Sequence, residues 1–361
     1  MGARVMILAG GTGGHVYPAL AVARELLSEG HEVVWMGTRA GLEGKLVPEA
    51  GIPIEWLSVS GLRGKGWRRR LTAPFMLLRA GLQAFAILRR IRPDVVLGMG
   101  GFVSGPGGLL ALGLGIPLVL HEQNRVPGTT NRWLAPWANL VLEAFPGSFP
   151  AAAKARCTGN PLRPEIASTA RRPRPQTGGP LRVLVVGGSL GAKALNEMLP
   201  DALAGLGVQV RHQSGPALRE ETLARYARAG IDARVEAFIE DMAEAYAWAD
   251  LAVCRAGAMT VSELSAAGLP AILIPFPYAI DDHQTQNARY LVEAGAALLL
   301  PQRELTPERL ALSIKALIDD PARLRSLAER AAALAKCDAA RVVADLCLAK
   351  ARPVSGRRAL A

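Results

Sequence analysis

The sequence predicts an α/β protein made of two Rossmann-like parallel-sheet domains facing a common cleft. Three observations carry this. Short apolar runs alternate with helical patterns, and most runs are apolar on both faces, as in parallel sheets covered by helices. The alternation stops within Pro161 to Pro180, a stretch rich in Pro, Gly and Arg without apolar periodicity, and then restarts. The two halves also repeat the same features in the same order.

In the first half, Arg4 to Ala9 reads as a strand, followed by a glycine-rich turn and a helix from about Pro18 to Glu29 closed by Gly30. His31 to Met36, Asp94 to Leu97, Ile116 to Leu120 and Leu140 to Glu143 read as further strands. After the linker, Arg182 to Val186 and Val208 to His212 are strands separated by a second glycine-rich turn and a helix. The turns Gly10-Gly-Thr-Gly-Gly-His15 and Gly187-Gly-Ser-Leu-Gly-Ala192 correspond. So do the strand openings at Asp94 and Asp250, and the turns Gly115-Ile-Pro117 and Gly268-Leu-Pro270. The resulting division is an N-terminal domain over 1–162, a linker over 163–180 and a C-terminal domain over 181–340. Residues 341–361 form a helix end and a frayed tail, with the N-terminal domain as one place for them to pack.

The chain has 361 residues, half of them hydrophobic and 20% charged, which excludes disorder as its main state. Basic residues exceed acidic ones to give a formal charge of +11, and most of the positive charge is guanidinium. Cys157, Cys254, Cys337 and Cys347 form no CxxC pair, which points to a reducing compartment. Met1 runs into a strand-like segment with no secretory signal. Val95 to Leu120 carries 26 residues without a charge, but its eight glycines and two prolines argue for strand–loop–helix–strand rather than a membrane span.

Each glycine turn lets backbone N–H groups approach an anion at a helix start, or is simply a tight βα turn. Neither fits G-x-G-x-x-G: Val16 and Ser189 stand where glycine is required, and no acidic residue closes the second strand. No P-loop occurs, so nicotinamide redox chemistry and P-loop hydrolysis lose ground. His15 follows Gly13-Gly14 at a helix start, where the dipole disfavours imidazolium, so it suits a general base; the alternative is a surface histidine capping the turn. His121 is a second candidate or a supporting hydrogen-bonding residue, and His31 and His212 read as structural. Thr260 and Glu263 are three apart, as in a capping box, but Glu263 could equally accept hydrogen bonds from a ribose. With no HExxH, EF-hand loop or D-x-D, no metal or other cofactor is expected. A diphosphate would then rest on helix starts and an arginine such as Arg163.

Leu57 to Pro93 holds nine basic residues and no acidic one, interleaved with Trp67, Phe75, Leu78, Leu82 and Phe85. This suits an anionic membrane surface; a packed helix with a solvated basic side is the plainer reading, and nucleic acid is not expected.

Taken in order, Gly10 to His15, Gly100 to Gly107, His121-Glu-Gln-Asn124, Gly159-Asn-Pro-Leu-Arg163, Gly187 to Ala192 and Ala258-Met-Thr-Val-Ser-Glu263 closely resemble the MurG family of bacterial peptidoglycan N-acetylglucosaminyltransferases. The resemblance spans nearly the whole chain. It implies the GT-B fold and metal-independent, inverting transfer of GlcNAc from UDP-GlcNAc to the C4 hydroxyl of undecaprenyl-pyrophosphoryl-MurNAc-pentapeptide. The protein would sit peripherally on the cytoplasmic face of the membrane. It also implies UDP-GlcNAc contacts at Thr12, Gly13, Gly14, Asn124, Arg163, Ser189, Ile239, Ala258, Met259, Thr260, Val261, Ser262, Glu263 and Gln284. Glu263 would hold the ribose, Ile239 would meet the uracil through its backbone, and Asn124 and Gln284 would face the sugar. His15 is the implied base; if His15 is not the base, Glu122 is the next candidate. A UDP-GlcNAc epimerase of the same fold and a non-catalytic membrane-surface binding protein are the rival readings.

Overall fold

The computed structural model describes residues 2–59, 67–171, 179–188 and 191–353, without side chains at 67–74, 170 and 171. The chain divides into two compact units, Met1–Arg163 with Asp338–Ala361, and Pro164–Cys337.

In the first unit, seven parallel strands are found among the described residues, in the order β3-β2-β1-β4-β5-β6-β7. They are β1 (Arg4–Ala9), β2 (Glu32–Gly37), β3 (Ile54–Trp56), β4 (Val95–Gly100), β5 (Leu118–Glu122), β6 (Leu140–Glu143) and β7 (Arg156–Cys157). The helices between them are α1 (Gly13–Ser28), α2 (Glu43–Glu49), α3 (Trp67–Ile91), α4 (Ser104–Gly113) and α5 (Thr129–Leu134). Strand periodicity sorts β1 between two cores. Val5 and Ile7 pack with Leu26 of α1, and Met6 and Leu8 pack with Leu88 of α3 and Leu118.

The second unit has α6 (Pro164–Ala167), β8 (Arg182–Val186), α7 (Lys193–Leu203), β9 (Gln209–Gln213), α8 (Arg219–Arg228), β10 (Ala233–Glu236), α9 (Met242–Trp248) and β11 (Leu251–Cys254). It continues with α10 (Ala258–Ala267), β12 (Ala271–Leu273), α11 (His283–Glu293), β13 (Ala297–Leu299), α12 (Pro307–Ile318) and α13 (Pro321–Ala333). Its strands are again all parallel, in the order β10-β9-β8-β11-β12-β13. A last helix, α14 (Ala339–Leu348), packs on α1, with Val343 and Cys347 in that core.

The internal repeat has a physical counterpart. Asp94 Oδ2 accepts the Arg4 N–H at 2.7 Å, and Asp250 Oδ2 accepts the Arg182 N–H at 3.0 Å. In each unit an aspartate before the central crossover strand thus ties down the start of the first strand.

Several boundaries differ from the sequence reading. Helix α1 begins at Gly13, not near Pro18, because the glycines adopt the first helical turn and Thr12 O accepts the N–H groups of His15 and Val16. Strand β5 runs two residues further than expected, into His121 and Glu122, whose polar side chains are buried but hydrogen-bonded. The stretch read as a linker opens with α6 and a 3-10 turn at Ser168–Arg171, which pack on α9 and α10; residues 172–178 lie outside the described residues, as does the tail from 354. Val95 to Leu120 forms β4, α4 and the start of β5, and among the described residues no helix is long and apolar enough to cross a membrane.

Candidate functional site

In both sheets the strand order reverses beside the first strand, between β1 and β4 and between β8 and β11. Open parallel sheets bind ligands beyond the carboxyl ends of the strands at such a reversal. Each glycine turn the sequence singled out leaves the sheet at that point.

In the first unit the turn is built by interlocking loops. Gly100 and Gly101, at the exit of β4, have φ of +99° and +84°. A Cβ on Gly100 would stand 2.8 Å from the His15 ring, and one on Gly101 would stand 2.3 Å from Gly10 O. Only glycine fits both positions, and the His15 imidazole lies against the backbone so exposed. Ser104 donates to Leu8 O (3.0 Å) and Gly100 O (2.9 Å), holding the exits of β1 and β4 together. Glu43 of α2 is fully buried and accepts from Gly11 N (2.9 Å), Thr38 N (2.9 Å) and Thr38 Oγ1 (2.7 Å), so it clamps the glycine turn to the end of β2. Nothing in the sequence pattern marked Glu43.

His15 is half-buried, and its Nδ1 lies 2.8 Å from Gln123 Oε1. Gln123 Nε2 reaches His121 Nδ1 (3.0 Å) and His121 O (3.1 Å), and His121 Nε2 reaches Gly159 O (3.0 Å). Burial lowers His121 to a pKa of about 4, so its ring is neutral. Asn160 donates to Gln123 O, which joins the Gly159–Arg163 motif to the His121–Asn124 motif. The Arg163 guanidinium lies 5.3 Å over the Tyr17 ring of α1. Thr12, Gly13, Gly14, His15, Asn124 and Arg163 therefore gather around the start of α1 and the exit of β5.

The structure corrects the role offered to Glu122. Its Oε1 accepts from Asn124 N (2.9 Å) and Asn124 Nδ2 (3.3 Å), and its Oε2 from Gly128 N (2.9 Å) and Asn131 Nδ2 (2.9 Å). A buried carboxylate with both oxygens committed to one loop braces that loop and orients Asn124; it is not placed to take a proton from a ligand.

In the second unit, Gly191 has φ of +76°, and a Cβ on it would lie 1.9 Å from Ser214 O. Ser189 lies outside the described residues. Gln213 spans the crevice at the end of β9, donating to Gly188 O (2.8 Å) and accepting from Ile239 N (3.0 Å). Ile239 has its side chain buried and its backbone N–H on the Gln213 amide oxygen. The capping-box reading of Thr260 and Glu263 does not hold, because Gly257 is the N-cap of α10 and Thr260 is inside the helix. Gly257, Met259, Thr260 and Ser262 are partly exposed at this helix start, whereas Ala258 is buried and Val261 is a core residue able to contribute only backbone. Glu263 is buried and its Oε2 accepts the Tyr246 hydroxyl of α9 at 2.9 Å.

Gln284, near the start of α11, accepts from Phe276 N (2.9 Å), which turns its amide oxygen toward the chain. The loop before it carries Asp281 and Asp282 at φ of +53° and +50°, the left-handed region that Asp and Asn adopt more readily than other non-glycine residues. Arg255 donates to Ile274 O, Pro275 O and Gln302 Oε1, holding the chain as it leaves β12. Among the described residues, no three His, Cys, Asp or Glu side chains converge as a metal site.

Two parallel-sheet α/β units, each with a glycine turn and a helix start at its strand reversal, define the GT-B class of nucleotide-sugar glycosyltransferases. Residues 5–143 match the glycosyltransferase family 28 N-terminal domain and residues 182–344 its C-terminal domain. The chain is 62% identical, over 97% of its length and 99% of the relative's, to a Methylococcus capsulatus protein. That relative is named UDP-N-acetylglucosamine–N-acetylmuramyl-(pentapeptide) pyrophosphoryl-undecaprenol N-acetylglucosamine transferase. An Azotobacter vinelandii protein of the same name is 55% identical over 98% of this chain and 100% of its own. The crystal structure of Acinetobacter baumannii MurG superposes with a TM-score of 0.82 at 44% identity, covering 96% of this chain and 99% of that one. The chain belongs to glycosyltransferase family 28 and, within it, to the MurG family. A UDP-N-acetylglucosamine 2-epimerase also superposes, with a TM-score of 0.65 at 17% identity over 95% of each chain, a likeness of fold alone.

Proposed function

We propose that this protein transfers GlcNAc from UDP-GlcNAc to the C4 hydroxyl of undecaprenyl-pyrophosphoryl-MurNAc-pentapeptide, with inversion, without a metal ion, and on the cytoplasmic face of the membrane. The observation that carries this reading is the 62% identity, across 97% of the chain, to a relative bearing the name of that activity. In the proposed step, His15 Nε2 takes the proton of the acceptor hydroxyl as its oxygen attacks C1 of GlcNAc. The C1–O bond to the diphosphate breaks, and its electron pair leaves with UDP. The helix start at Ala258 receives the negative charge that develops on the leaving diphosphate. Glu263 holds the ribose, the Ile239 carbonyl meets the uracil, and Asn124 and Gln284 face the sugar.

The test is turnover of UDP-GlcNAc with and without the lipid-linked acceptor. UDP release that depends on the acceptor is expected. An epimeric sugar nucleotide formed without acceptor would make the protein an epimerase, and binding without turnover in either condition would make it a binding protein.

A further inference from the structure

We infer that Gln123, held by His121, is a positioning residue for proton transfer: it keeps the proton of the His15 ring on Nδ1 and so leaves Nε2 as the proton-accepting atom. The inference deepens the reading of His15 as the base and rests on it. The argument starts at the far end of the hydrogen-bonded chain, where two backbone carbonyls set the polarity. Gly159 O can only accept, so His121 Nε2, 3.0 Å away, carries a hydrogen. The ring is fully buried and neutral, so its Nδ1 is then a lone pair. The Gln123 atom 3.0 Å from that lone pair is a donor, and the same atom lies 3.1 Å from the His121 carbonyl, a second group that can only accept. Both observations make it the amide nitrogen. The amide oxygen is left 2.8 Å from His15 Nδ1, which must donate to it.

Reversing any member of this chain sets two acceptors or two donors against each other in a buried site. A neutral imidazole in water populates both tautomers, and which nitrogen holds the proton is set by what the other nitrogen bonds. Here that choice is made by residues 106 and 108 positions away in sequence, through an amide able to donate at one end and accept at the other. A hydroxyl or a second histidine in place of Gln123 would not reach both partners with a fixed polarity.

The test has two arms. Nuclear magnetic resonance of the full-length protein labelled with ¹⁵N-histidine reads the tautomer of each ring from its two nitrogen shifts. The His15 proton is expected on Nδ1 in the wild-type protein, which requires no variant to fold. In the second arm, kcat and donor Kd are measured for Gln123→Met, which keeps the side chain's length but removes the amide, for His15→Ala, and for the double variant. Gln123→Met should lower kcat by about 10- to 100-fold, by analogy with the loss of the group that orients a metal-bound histidine. Donor Kd should stay within about twofold, and the same substitution should cost nothing further on the His15→Ala background, because a residue acting only through His15 has nothing left to position. A wild-type His15 proton on Nε2, or an equal loss from Gln123→Met on both backgrounds, overturns the positioning role alone. A kcat unaffected by His15→Ala overturns instead the reading of His15 as the base, and the positioning role with it.

Discussion

The hydroxyl of Tyr246 lies 2.9 Å from Oε2 of Glu263 and donates to it. Tyr246 belongs to α9 and Glu263 to α10, and both side chains are buried. The phenol thus holds one oxygen of a buried carboxylate one turn inside a helix start. We expect Glu263→Ala to weaken UDP-GlcNAc binding by about 1–3 kcal/mol, the cost of leaving hydrogen-bonding groups unpaired. Tyr246→Phe should weaken it by less, because the carboxylate remains. Titration calorimetry with UDP-GlcNAc checks both, and full donor affinity in a folded Glu263→Ala protein would reduce the residue to a packing element.

Glu122 invites a different expectation. Its two oxygens accept four hydrogen bonds from Asn124, Gly128 and Asn131, so Glu122→Gln must turn an NH₂ group toward donors on one side. The variant should lose about 1–3 kcal/mol of stability. Denaturant unfolding measures the loss, with kcat recorded alongside. A protein of wild-type stability whose kcat has collapsed would return Glu122 to the role of base.

These two carboxylates mark how far the sequence could be read. Strands β1, β6 and β8 occupy the residues their apolar runs predict, because each run is bounded by glycine, charge or proline. The start of α1 was hidden because Pro18 mimics a first-turn proline, while the real first turn consists of glycines that carry no helical signal. His15 stood out by its place after a glycine turn, and Glu263 by its spacing from Thr260. Their partners did not. Gln123 acts on His15 across 108 residues, Glu43 on Gly11 across 32 and Tyr246 on Glu263 across 17. No local pattern encodes such pairings, which exist only once parallel strands bring their carboxyl ends together.

Acid should destabilise the fold through its buried histidines. His212 lies between Tyr226 OH (2.9 Å) and Asn196 Oδ1 (3.0 Å), and burial lowers it from 6.5 to about 3, as burial lowers His121 to about 4. Below pH 6.5 the unfolded chain binds protons that the folded rings refuse. Stability is therefore fully present above 6.5 and falls as pH drops through the window down to about 4 for His121 and about 3 for His212. Each ring contributes a slope of up to about 1.4 kcal/mol per pH unit. Urea unfolding across this range should show the decline, and His212→Gln, less stable at neutral pH, should show a shallower one. Parallel slopes in the two proteins would exclude His212 as a source.

Chelation tests the proposed chemistry from another side. Helix starts carry N–H groups without intrahelical acceptors, and an anion can rest on them without a bridging cation. We expect turnover to continue in EDTA at its original rate. A loss that Mg²⁺ or Mn²⁺ restores would place a divalent ion on the leaving diphosphate and remove that burden from the start of α10.

The last expectation concerns the membrane. Helix α4 packs against both α3 and α5, and each of the three turns large apolar side chains to solvent. Phe75 is 77% exposed on α3 and Trp133 78% exposed on α5, with Leu78, Leu82, Leu109 and Trp137 also exposed. Apolar area left in water is unfavourable and its burial against a partner is favourable, so exposed apolar area on this scale is what an interaction surface requires. Basic side chains accompany it: Arg79, Arg89 and Arg132 are exposed, and Arg68, Arg69 and Arg70 lie at the start of α3 with their side chains outside the described residues. An anionic bilayer would satisfy both features, with apolar groups entering the interface and each basic residue near it adding about 1 kcal/mol. Replacing Arg68, Arg69 and Arg70 with Gln should therefore lower binding to anionic vesicles, most strongly at low salt, and leave UDP-GlcNAc affinity unchanged. Phe75→Ser with Leu78→Ser should lower vesicle binding in a way that salt does not mimic, because the lost contribution is apolar. If both variants bind anionic vesicles as the parent does, α3 is an ordinary packed helix with a solvated basic side, and the membrane contact must be sought on another surface.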